Sequence, residues 1–570
     1  MVSLFFYVVS FSFLASASAS AYRHHRIDVR AQPPLGSFPD SESPVSASPP
    51  IVATGKRIRD CVLIENAALQ SYGQLAQREY RGAECVGGDR ARVGQIILTF
   101  EGAVKGVQFD RYGAFWLGNV ELLRTTTPEP TPIGIEWKTQ RDVSEYISLF
   151  ASQVPLNATL SIPNVVNPTY TGVLMVNITI SLFEAAPEAA ALPDKTIRSL
   201  AMPFASAGGP WNAITLSGNA SQVHSTKLGV RNAKGIWVDI YASGHQCEEF
   251  WYTNVIDSVA PSFGACGGGA FRMIQLFVDN TILACTADPY PVVYSGGINP
   301  LLWRPLAGIE SFDIPPYRCD LTPFAGLLND GKNHNISFRV AGNNNKGVWY
   351  VDPILIIEVD PTKTIVEGAF THKLFKPLNV AVTTKNETGG TTFITTAELH
   401  YAIDGWVGHS SNAKSIEYIH KSLNVNAFQG SDLQITHGNM KSAIIGPTYR
   451  NSKYDFPYSV WLKSSQDAST FQIDANVSFA RIRSEVVNET LLHWDNAIRA
   501  TATYNRSLSN HSAVNIMSGN ASENFLIKYK GKYCFNTTLV GKSGDLTAVS
   551  RGNISDCAVR FCGQDVCHVR

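Results

Sequence analysis

Charge is scarce in this sequence. Only 16% of its 570 residues are Asp, Glu, Lys or Arg, and 47 acids balance 47 bases. A chain with no net charge has no electrostatic footprint for nucleic acid or an anionic membrane surface, so neither is expected as a partner. Long apolar runs are absent beyond the N-terminus, so no membrane anchor is expected. The familiar catalytic signatures are missing too: there is no HExxH, no GxSxG, no P-loop, and no GxGxxG opening a βαβ unit. The glycine-rich GACGGGA around Cys266 lacks the lysine and the strand-to-helix setting of a phosphate loop, and reads as a turn. The 13 histidines are dispersed, with only His24 and His25 adjacent, so no metal and no cofactor are expected.

The N-terminus, MVSLFFYVVSFSFLASASASA, has an apolar run of signal-peptide length followed by small residues suited to cleavage near Ala21. Secretion is expected. Sequons begin at Asn157, Asn177, Asn219, Asn335, Asn386, Asn476, Asn488, Asn505, Asn510, Asn520, Asn536 and Asn553, a density that predicts a glycosylated surface. Ten cysteines agree with an oxidising compartment. They fall into three groups, within which pairing is expected: Cys61 and Cys85; Cys247, Cys266, Cys285 and Cys319; Cys534, Cys557, Cys562 and Cys567. His568 beside the last group allows a zinc reading, but the spacing is not CxxC and disulfides are favoured.

Alternation dominates the rest. GVLMVNITISLF places Leu174, Val176, Ile178, Ile180 and Leu182 on one face and Asn177, Thr179 and Ser181 on the other, with the Asn177 sequon toward water. NISFRV and KGIWVDIYASG repeat the pattern through Ile336, Phe338 and Val340 and through Ile236, Val238 and Ile240. With turn residues between such runs and no competing helical period, the fold class is all-β, built of sandwiches. The length has room for two to four domains. The divisions expected are a signal peptide (1–21), a Pro/Ser-rich leader or pro-segment (22–54), a first sandwich (55–192), a second (193–364) and a β-rich C-terminal domain (365–570). NETGGTT at 386–392 reads as an exposed loop tip where a proteolytic nick would leave two associated chains.

Carboxylates beside aromatics are what remains for chemistry. In FDRYGAFWLGNVELLRTTTPEPT (109–131), Asp110 and Arg111 stand at the mouth of a strand hairpin. In a strand they would face opposite sides, leaving one to look into a cleft; the plainer alternative is a rim salt bridge or a turn-capping Asp. GHQCEEFWYTN sets Glu248 and Glu249 next to Cys247, with Phe250, Trp251 and Tyr252 as prospective cleft walls; a charged-edge strand is the rival reading. In INPLLWRPLAGIE, Trp303 and Arg304 would stack on and hydrogen-bond to a sugar or amide, or simply pack.

The first of these stretches, extended to RVGQIILTFEGAVKGVQFDRYGAFWLGNVELLRTTTPEPTPIGIEWKTQRDVSEY, resembles the plant and fungal peptide:N-glycanase A family of acidic peptide-N4-(N-acetyl-glucosaminyl)asparagine amidases. The resemblance resumes in GHQCEEFWYTN and GVWYVDPILIIEVD and covers most of 55–365. Shorter pieces resemble bacterial PNGase F enzymes, whose WDR-type motif is similar to Phe109-Asp110-Arg111 and whose cysteine-flanked Glu is similar to Cys247-Glu248-Glu249. The resemblance implies tandem jelly-roll sandwiches with a site in the groove between them. It implies Asp110 as the principal catalytic carboxylate and Glu249 as the second, with Glu248 an alternative to Glu249. Arg111, Glu248, Trp251, Trp303 and Arg304 are the implied substrate contacts. The implied activity is hydrolysis of the glycosyl-asparagine amide of N-glycopeptides and N-glycoproteins. A two-carboxylate glycosidase and a non-catalytic β-sandwich lectin are the alternatives.

Overall fold

The computed structural model describes residues 41–49, 51–53, 55–88, 92–185, 199–203, 214–216, 222–342, 347–409, 413–446, 450–487, 490–507, 519–529, 532–542, 545–551, 559–562 and 565–569. The signal segment and most of the leader lie outside these residues, as do Cys557 and the side chains of Cys534, Cys562 and Cys567. Within the first two cysteine groups the expected pairing is present: Cys61–Cys85, Cys247–Cys266 and Cys285–Cys319.

The chain is all-β, and among the described residues its named strands pair antiparallel. Eight strands build the first sandwich: β1 (Arg57–Leu69), β2 (Leu75–Tyr80), β3 (Val93–Val104), β4 (Tyr112–Leu117), β5 (Val120–Thr126), β6 (Ile135–Asp142), β7 (Leu156–Ser161) and β8 (Leu174–Glu184). One sheet runs β1-β8-β3-β6 and the other β2-β7-β4-β5. The alternation in β8 does what its pattern implies: Leu174, Val176, Ile178, Ile180 and Leu182 are all buried in the core between the sheets, each contributing roughly 1.5–3 kcal/mol of burial. The opposite face departs from expectation. Asn177 is half-buried, because its side-chain oxygen accepts the Asn66 N–H at 2.6 Å.

Nine strands follow: β9 (Ser199–Pro203), β10 (Ile214–Leu216), β11 (Gln222–Thr226), β12 (Ala233–Gln246), β13 (Met273–Val278), β14 (Ile282–Ala287), β15 (Tyr317–Asp320), β16 (His334–Ala341) and β17 (Gly347–Val359). One sheet runs β10-β17-β12-β15, with β9 pairing on β17, and the other runs β11-β16-β13-β14. Ile236, Val238 and Ile240 on β12 and Ile336, Phe338 and Val340 on β16 face the shared core. From Gly368 to Arg551 a single ten-stranded meander follows, each strand pairing with the next. Its second strand, Gly390–Val407, buries Ala397, Leu399, Tyr401 and Ile403 against the second sandwich, so the two share one core. Buried polar stitches join them as well: Asp288 takes His420 Nδ1 at 2.9 Å and the Tyr418 hydroxyl at 3.0 Å.

The end of the leader is not a free tail: residues 42–47 form a strap. Glu42 bridges Ile135, and Val45 bridges Leu306. The Ala47 N–H is buried and donates to Glu523 Oε2 at 2.7 Å. Composition alone reads such a segment as solvated, but extended backbone with unpaired N–H and C=O groups pairs wherever an edge accepts it.

The two sandwiches meet across buried, bonded polar groups. Arg124 on β5 holds Glu121 through two bonds of 2.8 Å and donates to the Tyr350 carbonyl at 2.8 Å. Trp116 Nε1 donates to Asp352 at 2.8 Å, and the Tyr146 hydroxyl donates to Asp239 at 3.0 Å. Such a network fixes one relative placement, because any slip strands a buried charge at a cost of about 3–5 kcal/mol.

Candidate active site

Asp110 and Arg111 lie in the loop that enters β4, not in the strand, so pleat does not divide them between faces. Arg111 turns away from a bonded pair. Its backbone N–H donates to Thr127 Oγ1 at 2.9 Å, and its guanidinium donates to the Gln108 side chain and, at 3.2 Å, to the Tyr72 hydroxyl. It reaches Asp110 as a nearby charge. The Asp110 carboxylate instead accepts the backbone N–H of Gly296, in the loop that leaves the second sandwich after β14. Burial raises its pKa, opposed by that N–H and by Arg111.

A second carboxylate stands against the first, and the sequence reading had passed over it. Glu129 follows β5 between two prolines, which hold its backbone extended. A Cβ built on Gly296 would overlap Asp110 Oδ1 and lie 2.5 Å from Glu129 Oε1. The two oxygens are therefore no more than about 5 Å apart, where two full charges repel by about 3 kcal/mol at an effective dielectric near 20. One proton is accordingly retained. Burial, then Asp110, pushes the Glu129 pKa up to about 8, against the pull of Arg304 and Arg111. Arg304 also fixes the segment, donating to the Glu129 carbonyl at 3.1 Å.

The two adjacent glutamates separate cleanly. Glu248 is fully buried. It accepts both arms of Arg272, Nη2 to Oε1 at 2.6 Å, and Trp349 Nε1 at 2.7 Å. Its acceptors are taken, so the expectation of a substrate contact at Glu248 is corrected: it is an internal anchor. The GACGGGA turn serves the same anchor, with the Gly268 and Gly269 carbonyls accepting Arg272. Glu249 lies next to it in the turn after β12, tied by the Cys247–Cys266 disulfide and by its own N–H to the Gln246 carbonyl at 3.1 Å. Burial first, then Asp110, raises its pKa well above the ordinary value.

The walls differ from those expected. Trp251 is 3% exposed and packs with Phe250 and Tyr252 into the core shared with the C-terminal sheet, where Asn424 and Asn426 bind the Tyr252 carbonyl. Trp303 is 1% exposed, and its Nε1 donates to the Gly297 carbonyl at 2.8 Å, which supports the loop from behind. Trp251 is not placed to touch a ligand, because a ring among apolar neighbours gains more from burial than from the groove, whereas the Trp303 ring, though nearly fully buried, lines the cavity beside Glu129 and Arg304. The aromatic lining comes instead from His245, which packs on Tyr112 at 4.6 Å and on Tyr350 at 4.2 Å, with Tyr294 at 6.3 Å. Burial, then the Arg124 charge, lowers the His245 pKa to about 3, so this ring is neutral at working pH. Beside Glu129 and Arg304 a cavity of about 300 Å³ continues toward Ser295, Pro305 and the strap.

Three carboxylates with raised pKa and two guanidinium groups thus converge at adjoining ends of two β-sandwiches. That is the apparatus of a hydrolase working by proton transfer between carboxyl groups. The chain belongs to the peptide N-acetyl-β-D-glucosaminyl asparaginase amidase A family, whose model matches residues 48–372. It is 31% identical over 385 residues to peptide-N4-(N-acetyl-beta-glucosaminyl)asparagine amidase A of Prunus dulcis, an alignment covering 64% of this chain and 66% of that relative. Among solved structures it is similar to PNGase F, a glycosylasparaginase from Flavobacterium meningosepticum, at 12% identity and TM-score 0.36, over 53% of this chain and 96% of that one. It is also similar to PNGF-II, at 11% identity and TM-score 0.35, over 53% and 66%.

Proposed function

We propose that the protein is a secreted amidase that hydrolyses the β-aspartylglucosaminyl amide of N-glycopeptides and N-glycoproteins, leaving Asp in the peptide and releasing the glycan as a glycosylamine. Membership of the amidase family supports the reading. The observation that carries it is the Asp110–Glu129 pair across Gly296, two carboxyl groups whose burial and mutual repulsion push the Glu129 pKa up to about 8. The amide needs both a base and an acid, because water is a poor nucleophile and the sugar-linked nitrogen a poor leaving group.

Asp110 takes a proton from the attacking water as the new C–O bond forms at the side-chain carbonyl. Arg111 and Arg304 supply the positive field for the oxyanion. Glu129 gives its proton to the nitrogen as the C–N bond breaks, and the proton on Asp110 returns to Glu129 across a gap of at most about 5 Å. Glu249 holds the first sugar, with the His245, Tyr112 and Tyr350 rings as its apolar floor. A retaining or inverting glycosidase would use the same two carboxyl groups on a glycosidic bond, and a lectin would use only the rings. The Asp110→Asn variant decides between catalysis and binding: its Tm stays at the wild-type value while turnover of an N-glycopeptide is lost. Unchanged turnover excludes the assignment.

Passage through the secretory pathway is supported by the N-terminal apolar segment, by three disulfides and by exposed sequons at Asn157, Asn386, Asn476 and Asn520. No helix of the described residues is long and apolar enough to cross a membrane. A nick at the hairpin tip around Gly389 would leave two chains still paired along the whole of Gly368–Glu387 with Gly390–Val407.

A further inference from the structure

The loop that delivers Gly296 to Asp110 is held from the far side by the C-terminal sheet. Asn299 is fully buried. Its side-chain oxygen accepts the Leu301 N–H at 3.0 Å, while its Nδ2 donates to the Ile473 and Ala502 carbonyls, both at 3.3 Å, on the neighbouring strands Thr470–Val487 and Thr490–Ser507. Two glycines let the sheet approach this closely. A Cβ on Gly519 would overlap the Leu301 carbonyl oxygen, and one on Gly541 would lie 2.7 Å from Pro305 Cδ. On the next turn of the loop, the Val45 N–H of the strap bonds the Pro305 carbonyl at 2.9 Å, the Ala307 N–H bonds the Val45 carbonyl at 2.8 Å, and the strap is fastened to the sheet through Ala47 and Glu523. Between these fastenings the Trp303 indole clamps Gly297.

We propose that the C-terminal sheet sets the geometry of the catalytic carboxylates, with Asn299 as the positioning residue that transmits it. Asn299 touches neither substrate nor reacting atoms; it fixes where the Gly296 N–H stands, and so where Asp110 and Glu129 stand. The inference rests on the reading of Asp110 as the base of the amidase. A chain lacking residues 368–551 would keep all its catalytic side chains and lose their alignment.

The test uses the full-length chain and two variants, Asn299→Ser and Gly541→Val. Serine retains an oxygen to cap Leu301 and removes the Nδ2 donor; valine presses on Pro305 from the sheet side. Both are expected to lower kcat about 10- to 100-fold, as a misplacement near 1 Å does, with KM within about threefold. The acid limb of the pH–rate profile is expected to move up by about one pH unit, because Asp110 loses the N–H that favours its charged form. It stays exposed to the charges of Glu129, Glu249 and Arg111, with the Tyr294 hydroxyl within reach. Hydrogen exchange followed by mass spectrometry is expected to quicken at least about tenfold across 294–305, while peptides from β3 and β8 are unchanged. This readout needs no turnover, so it decides the inference even if the wild type proves inactive on N-glycopeptides, which would overturn the functional reading. Variants whose loop exchanges as in the wild type, or whose loss lies only in Tm with the pH profile unmoved, overturn the proposal.

Discussion

A single methyl group at position 296 should disable the site while leaving the fold intact. Gly296 does not lie in the left-handed region, so alanine is allowed by the backbone, and the β-strands around it are untouched. The methyl carbon would overlap Asp110 Oδ1 and lie 2.5 Å from Glu129 Oε1 and 2.9 Å from Asp110 Cγ. Ordinary contacts begin near 3.4 Å, so both carboxylates must retreat by about 1 Å, a displacement that costs about 100-fold in rate when it falls on reacting groups. The retreat also breaks the Gly296 N–H bond to Asp110, a charge-assisted bond worth about 1.5–3 kcal/mol, equivalent to about 1–2 pH units on the base. For Gly296→Ala we therefore expect kcat down about 100-fold, an acid limb moved upward and a Tm within a few degrees of the wild type. Glycopeptide turnover by mass spectrometry and a thermal melt measure all three. Turnover within about threefold of the wild type would show that the pair across Gly296 is not the catalytic pair.

The two adjacent glutamates should behave oppositely. Glu248→Gln unbalances the buried Arg272 pair and is expected to cost about 3–5 kcal/mol in a denaturant melt, whereas Glu249→Gln should leave the melt unchanged and reduce turnover. Glu523, fully buried with its pKa pushed up to about 8, holds a proton in the folded state that the unfolded chain releases above its ordinary value. Its contribution is fully present below about pH 4.5 and is lost as pH rises through 8, with a ceiling on the order of 5 kcal/mol. Glu523→Gln should thus flatten the fall in Tm between pH 5.5 and 8 and raise Tm at pH 8. Replacing Cys247 and Cys266 by Ser opens a loop spanning 19 residues and should cost roughly 3 kcal/mol. It should also reduce turnover, because the turn presenting Glu249 loses its tie.

The sandwiches were legible because alternation is a local signal. The apolar residues picked from β8, β12 and β16 are the ones that fill the two cores. The site was legible only where a motif marked it. Asp110 and Glu249 do converge, since the Asp110 charge reaches Glu249 and raises its pKa. Glu129 was missed although it stands in the same quoted stretch. Its only local sign is the Pro-Glu-Pro setting, and what gives it a role is a glycine 167 positions away. Trp251 was misplaced for the converse reason. Sequence shows that a ring is present but not which face of a turn it occupies, and burial in the shared core decided it. The strap of residues 42–47 was invisible because its partners, Ile135, Leu306 and Glu523, are distant in sequence and bonded mostly through backbone.

The central claim is tested most directly by incubating the full-length protein with an N-glycopeptide in heavy-oxygen water at mildly acidic pH and weighing the peptide. Conversion of the glycosylated Asn to Asp carrying one heavy oxygen is the predicted result, because water attacks the side-chain carbonyl and the sugar leaves with the nitrogen. A peptide that keeps Asn bearing a single sugar, or Asn with its whole glycan, would contradict the account, the first by showing a glycosidase and the second by showing no hydrolysis.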